Sequence, residues 1–244
     1  AVGPAEIRTV NESFNRMVTD LGKLEEDRAV LLAGISHDLR TPMTRLRLEI
    51  EMADLQPETR GAMVGDLEQM DAIVRQFLDY ARHTPQQPAE RIDLSTLIEA
   101  AVDRARIDGQ AHASVNLLVA HDVSITGYRT ELARALDNLL VNAVRYGRDP
   151  ASGRLDLTIS LSTDGQDAVL AVADRGPGVQ AAHIDRLLRP FERGEEARSG
   201  SGGAGLGLPI VQRIARLHGG SLRLLANAPH GLRAELTLPL ERSA

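Results

Sequence analysis

The sequence predicts an α+β protein in two parts. The first is a helical hairpin that pairs with a second copy as an antiparallel four-helix bundle, and the second is an α/β sandwich. Three observations predict it. Apolar residues recur at alternating spacings of three and four through the first third of the chain, the pattern of packed helices. The stretch His83 to Glu90, with Pro85, Pro88 and two glutamines, continues neither stripe and reads as a linker. Beyond it, short β-like runs mix with helical stripes, the signature of a sheet covered by helices.

Taken in order, Ile7, Val10, Phe14, Met17, Leu21 and Leu24 form a coiled-coil seam whose register runs through Arg28 to Leu31 and Ile35. Continued further, it would place Asp38 and Pro42 in the seam. The stripe instead moves to Leu39, Met43, Leu46 and Ile50, so the helix changes phase, and Pro42 predicts a loosened turn just after residues 37 and 38. A break at Gln56-Pro57 precedes a second stripe, Met63, Leu67, Met70, Val74 and Phe77. Two such helices joined by a short turn form a hairpin with too little interior to stand alone, which predicts a homodimer. Later helices are expected over Leu94–Ile107, Thr130–Tyr146, Ala181–Leu188 and Leu206–Leu217. Strands are expected over Ser114–Val119, Leu155–Leu161, Ala168–Asp174, Ser221–Leu225 and Arg233–Leu238, arranged as antiparallel β.

Composition narrows the function. The chain has 244 residues, a formal net charge of −6 and 43% hydrophobic residues, ordinary for a globular protein. Its longest apolar run, Ala29 to Ile35, is far short of a membrane span. With no cysteine there is neither a disulfide framework nor a thiolate metal site. Net acidity with three Phe, three Tyr and no Trp argues against a nucleic-acid binder. The chain starts at Ala1, as a processed or excised fragment would.

Four constellations carry chemistry. In Ser36-His37-Asp38-Leu39-Arg40-Thr41-Pro42, His37 falls outside the apolar seam. A solvent-facing imidazole is a nucleophile if Asp38 orients it or takes its proton, and Arg40 is placed to neutralise a phosphate; the same residues also read as a surface histidine flanked by charges. In Asp137-Asn138-Leu139-Leu140-Val141-Asn142-Ala143-Val144-Arg145-Tyr146, two amides four apart share a helix face, with Arg145 and Tyr146 extending it. Amide oxygens suit Mg²⁺, although a buried, satisfied asparagine pair fits equally. Asp174-Arg175-Gly176-Pro177-Gly178 follows an apolar run, where glycines let backbone approach a flat ligand and a buried carboxylate accepts from the exocyclic amine of adenine; it also fits a simple turn. Gly203-Ala204-Gly205-Leu206-Gly207-Leu208 opens a helix after a Ser/Gly stretch, a phosphate-binding arrangement with a flanking segment able to close. Upstream, Phe191 lies between Arg189 and Arg193.

In this order the segments resemble the bacterial sensor histidine kinases of two-component systems. They match the H box (His37), the N box (Asn138 to Tyr146), the first G box (Asp174 to Gly178), the F box (Phe191) and the second G box (Gly203 to Gly207). The run from Asp27 to Leu48 is most similar to the osmosensing EnvZ type, and residues 1–26 resemble the second half of a HAMP linker.

The resemblance implies four segments. These are a HAMP-like piece at 1–26, a dimerisation and histidine phosphotransfer hairpin at 27–84, a linker at 85–90, and a catalytic ATP-binding domain of the histidine kinase, gyrase and chaperone type at 91–244. It implies that ATP phosphorylates His37 with help from Asp38 and Arg40. The phosphoryl group then passes to an aspartate of an OmpR-like response regulator, and Thr41 serves in dephosphorylating that regulator. Asn142 matches the Mg²⁺ ligand. Asn138, Arg145, Tyr146, Asp174, Gly176, Gly178, Phe191, Arg193, Gly203, Gly205, Leu206 and Gly207 match nucleotide contacts. The implied setting is the cytoplasmic portion of an inner-membrane sensor, reaching the membrane only through segments absent from this chain. Two alternatives without phosphotransfer remain: an ATPase clamp, which shares the nucleotide fold but lacks the His-Asp-x-Arg-Thr-Pro hairpin, and a dimeric signalling scaffold that binds nucleotide without transfer, against which intact His37, Asn142 and Asp174 argue.

Overall fold

A computed structural model describes residues 38–81, 87–107, 112–192 and 204–241, together with 13, 14, 16, 17, 20, 31, 34 and 35. The chain divides into two compact units, residues 1–84 and 85–244.

The first unit is a hairpin of α1 (38–52) and α2 (Pro57–Ala81). Helix α1 is continuous from residue 38 through Pro42, so the loosened turn expected just after residues 37 and 38 is not seen among the described residues: the helix carries Pro42 without a break. Residues 53–56 reverse the chain, and Arg60 Nη2 closes the reversal by donating to the Ala53 carbonyl at 3.0 Å. The helices are tied by Arg40–Asp71 at 3.6 Å and Arg47–Glu68 at 3.7 Å. Of the two apolar stripes only Ile50 and Leu67 are buried, whereas Leu39, Leu46, Met63, Met70 and Phe77 stay exposed. Of residues 1–26, expected to be HAMP-like, only positions 13, 14, 16, 17 and 20 are described, all helical.

The second unit is a five-stranded sheet in the order β2-β4-β5-β7-β6 with helices on one face. Its elements run β1 (Glu90–Asp93), α3 (Leu94–Ala105), β2 (Ala113–Val119), β3 (Ser124–Gly127), α4 (Arg129–Tyr146), β4 (Leu155–Asp164), β5 (Asp167–Ala173), α5 (Ala181–Leu187), α6 (Gly207–Leu217), β6 (Ser221–Ala226) and β7 (Leu232–Pro239). Each helix and strand expected in this unit is present, with bounds within two residues except that β4 runs three residues further, to Asp164. Two features differ from the expectation. The sheet is mixed, because β2 pairs parallel with β4; the intervening residues, including α4, supply the long crossover that parallel pairing needs. A separate antiparallel ribbon of β1 and β3 was not expected. Each strand is four residues with one inward side chain, Ile92 and Ile125, which pair in register and are fully buried.

Alternation places Leu155, Leu157, Ile159 and Leu161 of β4 under the helices and, on the far side of β5, Leu236 and Leu238 of β7, while the intervening residues of both strands face outward. Helix α4 buries Leu132, Ala135, Leu136, Leu139, Leu140 and Ala143 on one stripe, and α6 buries Ile210, Val211 and Ile214 on another. At the start of α3, Asp93 caps the helix: Oδ1 accepts from the Thr96 amide at 3.0 Å and from the Ser95 hydroxyl.

Candidate nucleotide site

Burial of one side of α4 leaves Asn138 and Asn142 half-buried along its flank, with Arg145 and Tyr146 exposed at its C-terminal end. Asn138 Nδ2 donates back to the Arg134 carbonyl at 2.8 Å, which turns its Oδ1 outward from the helix. The Asn142 amide is bonded to no described residue.

The end of β5 meets the end of α4 through glycines. A Cβ on Gly176 would stand 2.2 Å from the Tyr146 carbonyl oxygen, and one on Gly147 would stand 2.6 Å from Asp174 Cβ. Neither approach is open to any other residue, so the glycines join the first glycine motif to the asparagine helix backbone to backbone. Asp174 is only 6% exposed. Its Oδ1 accepts from the Gly176 amide at 2.9 Å and the Leu232 amide at 3.0 Å, while Oδ2 accepts from no described residue. Burial raises the pKa of this carboxyl, and the two backbone donors oppose the rise. A buried carboxylate with one oxygen fixed and one open fits an N–H donor of an uncharged ligand.

The β6–β7 loop closes over the same residue, a feature not anticipated from sequence. Asn227 Nδ2 donates to the Asp174 carbonyl at 2.6 Å, Arg175 Nη1 to the Ala228 carbonyl, and His230 Nδ1 to the Arg175 carbonyl at 2.9 Å. His230 Nε2 lies 3.4 Å from Asp149 Oδ2 on the loop after α4. Gly231, at φ 125°, would put a Cβ 2.1 Å from the Asp174 carbonyl oxygen, and Gly178, at φ 76°, would put one 2.9 Å from that of Gly231.

The second glycine motif reaches the same helix. A Cβ on Gly207 would lie 3.3 Å from Asn138 Oδ1, and the Phe191 amide donates to the Gly205 carbonyl at 3.1 Å. Phe191 is exposed at φ 64°, and Gly205 at φ 71° meets the Glu192 carbonyl where a Cβ would stand 2.7 Å away. Leu206 is fully buried, which anchors the start of α6 in the core. The contacts thus bring Asp174 and Gly176 to the carboxyl end of α4, beside Tyr146, and Gly207 to Asn138 further back on the same helix, which also carries Asn142 and Arg145; Gly205 and Phe191 adjoin Gly207, and Gly178 meets the β6–β7 loop. Gly203 and Arg193 lie outside the described residues.

In the hairpin, Asp38, Arg40 and Thr41 are helical residues of α1, and His37 lies outside the described residues. Arg40 faces Asp71, which also binds Arg75.

Two family models match the chain. Residues 27–86 match the His Kinase A (phospho-acceptor) domain, and residues 127–242 match the histidine kinase-, DNA gyrase B- and HSP90-like ATPase domain. The sensor histidine kinase GtrS of Pseudomonas aeruginosa is 34% identical over 97% of this chain and 47% of its own length. The sensor protein RstB of Escherichia coli is 32% identical over 93% of this chain and 52% of its length. The chain belongs to the sensor histidine kinases. It spans about half the length of the curated relatives it matches. Among solved structures, the mycobacterial sensor histidine kinase MprB aligns over 64% of this chain and 99% of its own, with 26% identity and a TM-score of 0.54. Full-length ShkA in complex with AMPPNP aligns over 87% of this chain and 46% of its own with a TM-score of 0.66, and at 23% identity it supports the fold alone. Within this kinase, no helix among the described residues is long and apolar enough to cross a membrane.

Proposed function

We propose that this chain is the catalytic portion of an EnvZ-like sensor histidine kinase that uses ATP to phosphorylate His37, passes the phosphoryl group to an aspartate of an OmpR-like response regulator, and also dephosphorylates that regulator. The observation that carries the reading is Asp174: a buried carboxylate with one oxygen held by two backbone amides and the other open, in a cradle of glycines beside the asparagine helix. The open oxygen accepts from the adenine amine, and Gly176 and Gly178, each pressed against neighbouring backbone, hold the walls of the cradle in place around it. Phosphates fall between Asn138, Arg145, Tyr146 and the glycine-rich start of α6, which offers backbone amides; Phe191 is the described aromatic beside that start, and the resemblance adds Gly203 and Arg193 as nucleotide contacts.

Asn142 is the residue that would hold Mg²⁺. Its half-buried amide is bonded to no described residue, and no cluster of three or more His, Cys, Asp or Glu occurs among the described residues, so most ligands would be phosphate and water oxygens, as this ion prefers. Bound there, the ion supplies charge neutralisation on the phosphates.

In the transfer step a ring nitrogen of His37 attacks the γ-phosphorus. An N–P bond forms, the bond from phosphorus to the bridging oxygen breaks, ADP leaves with that electron pair, and the ring proton passes to Asp38. Arg40 offsets the incoming charge once it exchanges Asp71 for phosphate. In the reverse duty Thr41 positions a water against the regulator's acyl phosphate. A homodimer accounts for the exposed stripe of Leu39, Leu46, Met63, Met70 and Phe77, which a second hairpin would cover as a four-helix bundle.

Incubation with Mg²⁺ and γ-labelled ATP tests the reading. Acid-labile label on the wild type that vanishes in His37→Gln is the expected result. Acid-stable label, or label indifferent to the substitution, would overturn it.

A further inference from the structure

The carboxyl end of α6 carries a histidine that none of the nucleotide motifs includes. Gly219 at φ 72° and Gly220, whose Cβ would strike the Thr237 carbonyl at 1.9 Å, turn the chain sharply from α6 into β6. That turn directs His218 back toward the junction of β3 and α4. Its Nδ1 lies 2.8 Å from the Ile214 carbonyl, and its Nε2 lies 2.9 Å from the Tyr128 amide. A carbonyl only accepts and an amide N–H only donates, so Nδ1 carries the proton and Nε2 the lone pair; both neighbours demand the same neutral tautomer. Space is reserved for the ring as well. A Cβ on Gly127 would stand 2.4 Å from Cδ2 and 2.7 Å from Nε2, and the Tyr128 ring meets the imidazole edge-on at 5.6 Å.

Tyr128 is the N-cap residue of α4, and it has no side-chain cap. The opposite end of α6 touches α4 where Gly207 meets Asn138. From Tyr128 to Asn138 along α4 is about 15 Å, and from Gly207 to His218 along α6 is about 17 Å. The helices therefore run antiparallel and touch at both ends of one overlap. Between the ends, Glu131 receives Arg134 at 2.6 Å and Arg213 at 3.5 Å. Sliding α6 along α4 would alter the distance between its glycine loop and Asn138 and Asn142. The ring at the far end opposes that slide.

We propose that His218 is a positioning residue for the nucleotide: by accepting from the Tyr128 amide in its neutral form it fixes α6 against α4, and protonation releases the strut and weakens nucleotide binding. This rests on the nucleotide reading of the site. Burial lowers the pKa of His218 below its ordinary 6.5, against the hydrogen bond to Ile214 and the charge of Glu131. Glu131, from α4, is the charged group whose field reaches the ring, and it is already engaged by Arg134 and Arg213.

The test measures affinity of the whole chain for Mg-ATP by titration calorimetry from pH 8 to pH 5, with His218→Ala and His218→Gln beside the wild type. Gln can donate to Ile214 and accept from Tyr128 but does not titrate. The expected result is a dissociation constant raised about tenfold at pH 8 in His218→Ala and largely restored in His218→Gln. Phosphate titrates over this range too, so the wild type should weaken on acidification more steeply than His218→Gln does. Exchange of the Tyr128 amide, read without nucleotide, should be protected in the wild type and fast in His218→Ala. If His218→Ala binds as the wild type does, or wild type and His218→Gln share one pH profile, the proposal fails while the nucleotide reading stands. A wild type that binds no Mg-ATP overturns both.

Discussion

The single residue that tells most is Asp174, because the requirements of the empty fold and of the ligand differ there. Folding uses Oδ1, which takes two backbone donors, and pays in burial of the charge. Asp174→Asn keeps an oxygen for those donors and removes the charge, but points an NH₂ where the adenine amine arrives. We expect thermal stability equal to or above the wild type, with Mg-ATP affinity reduced roughly 10- to 100-fold. A variant that bound normally would remove Asp174 from the base-reading role. Its raised pKa gives the pH sign. The folded state holds the proton more tightly than the unfolded chain, so this group's contribution to stability is largest in acid and declines as pH rises from about 3.8 through the folded value. His218 works oppositely: its folded pKa is lowered, so its contribution is complete above 6.5 and is lost as pH falls below it. Urea midpoints for wild type and His218→Gln should therefore diverge below pH 6.5 and run parallel above it.

Among the elements, those with long periodic stripes were legible and those defined by distant partners were not. Helix α4 carries its buried stripe in the sequence, so its extent was predictable; the β1–β3 ribbon shows one inward isoleucine per strand, too little for a period. Parallel pairing of β2 with β4 depends on what the crossover packs against, which alternation does not encode. The glycine motifs and Asp174 were visible as motifs. The β6–β7 loop that holds Asp174 was not, since Asn227 reaches across 53 residues and the segment otherwise reads as an ordinary turn. Gly231 makes that loop testable. Gly231→Ala combines a positive φ with a Cβ 2.1 Å from the Asp174 carbonyl, so we expect a loss of about 2 kcal/mol or more in chemical denaturation together with weakened nucleotide binding. The α3 cap offers a milder contrast. Removal of the Asp93 carboxylate, whose pKa is lowered by the Ser95 hydroxyl and the Thr96 amide, should cost about 1 kcal/mol and leave binding intact. If Gly231→Ala shifted the urea midpoint no more than Asp93→Ala, the close approach at Asp174 would not be needed for folding.

At the scale of the whole molecule the two units differ in how they gain stability. Residues 85–244 bury a sheet face and three helical stripes, an interior sufficient for an independent fold. The hairpin buries only Ile50 and Leu67 of its stripes and leaves Leu39, Leu46, Met63, Met70 and Phe77 in water. These side chains are already about half buried, so covering what remains of each is worth on the order of 1 kcal/mol; summed over both copies, a second hairpin would still supply much of the stability, and unfolding would be linked to association. Melting should accordingly occur in two steps with separate dependences. The hairpin transition, followed by far-ultraviolet circular dichroism, should rise in temperature with protein concentration and ignore nucleotide. The transition of the second unit should rise with Mg-ATP and ignore concentration. Met70→Glu, placing a charge where the partner helix would pack, should dissociate the dimer by light scattering at micromolar concentration and lower the first transition while leaving the second in place. One concentration-independent transition, or a Met70→Glu protein of unchanged mass, would mean that the exposed stripe is covered by something other than a second copy.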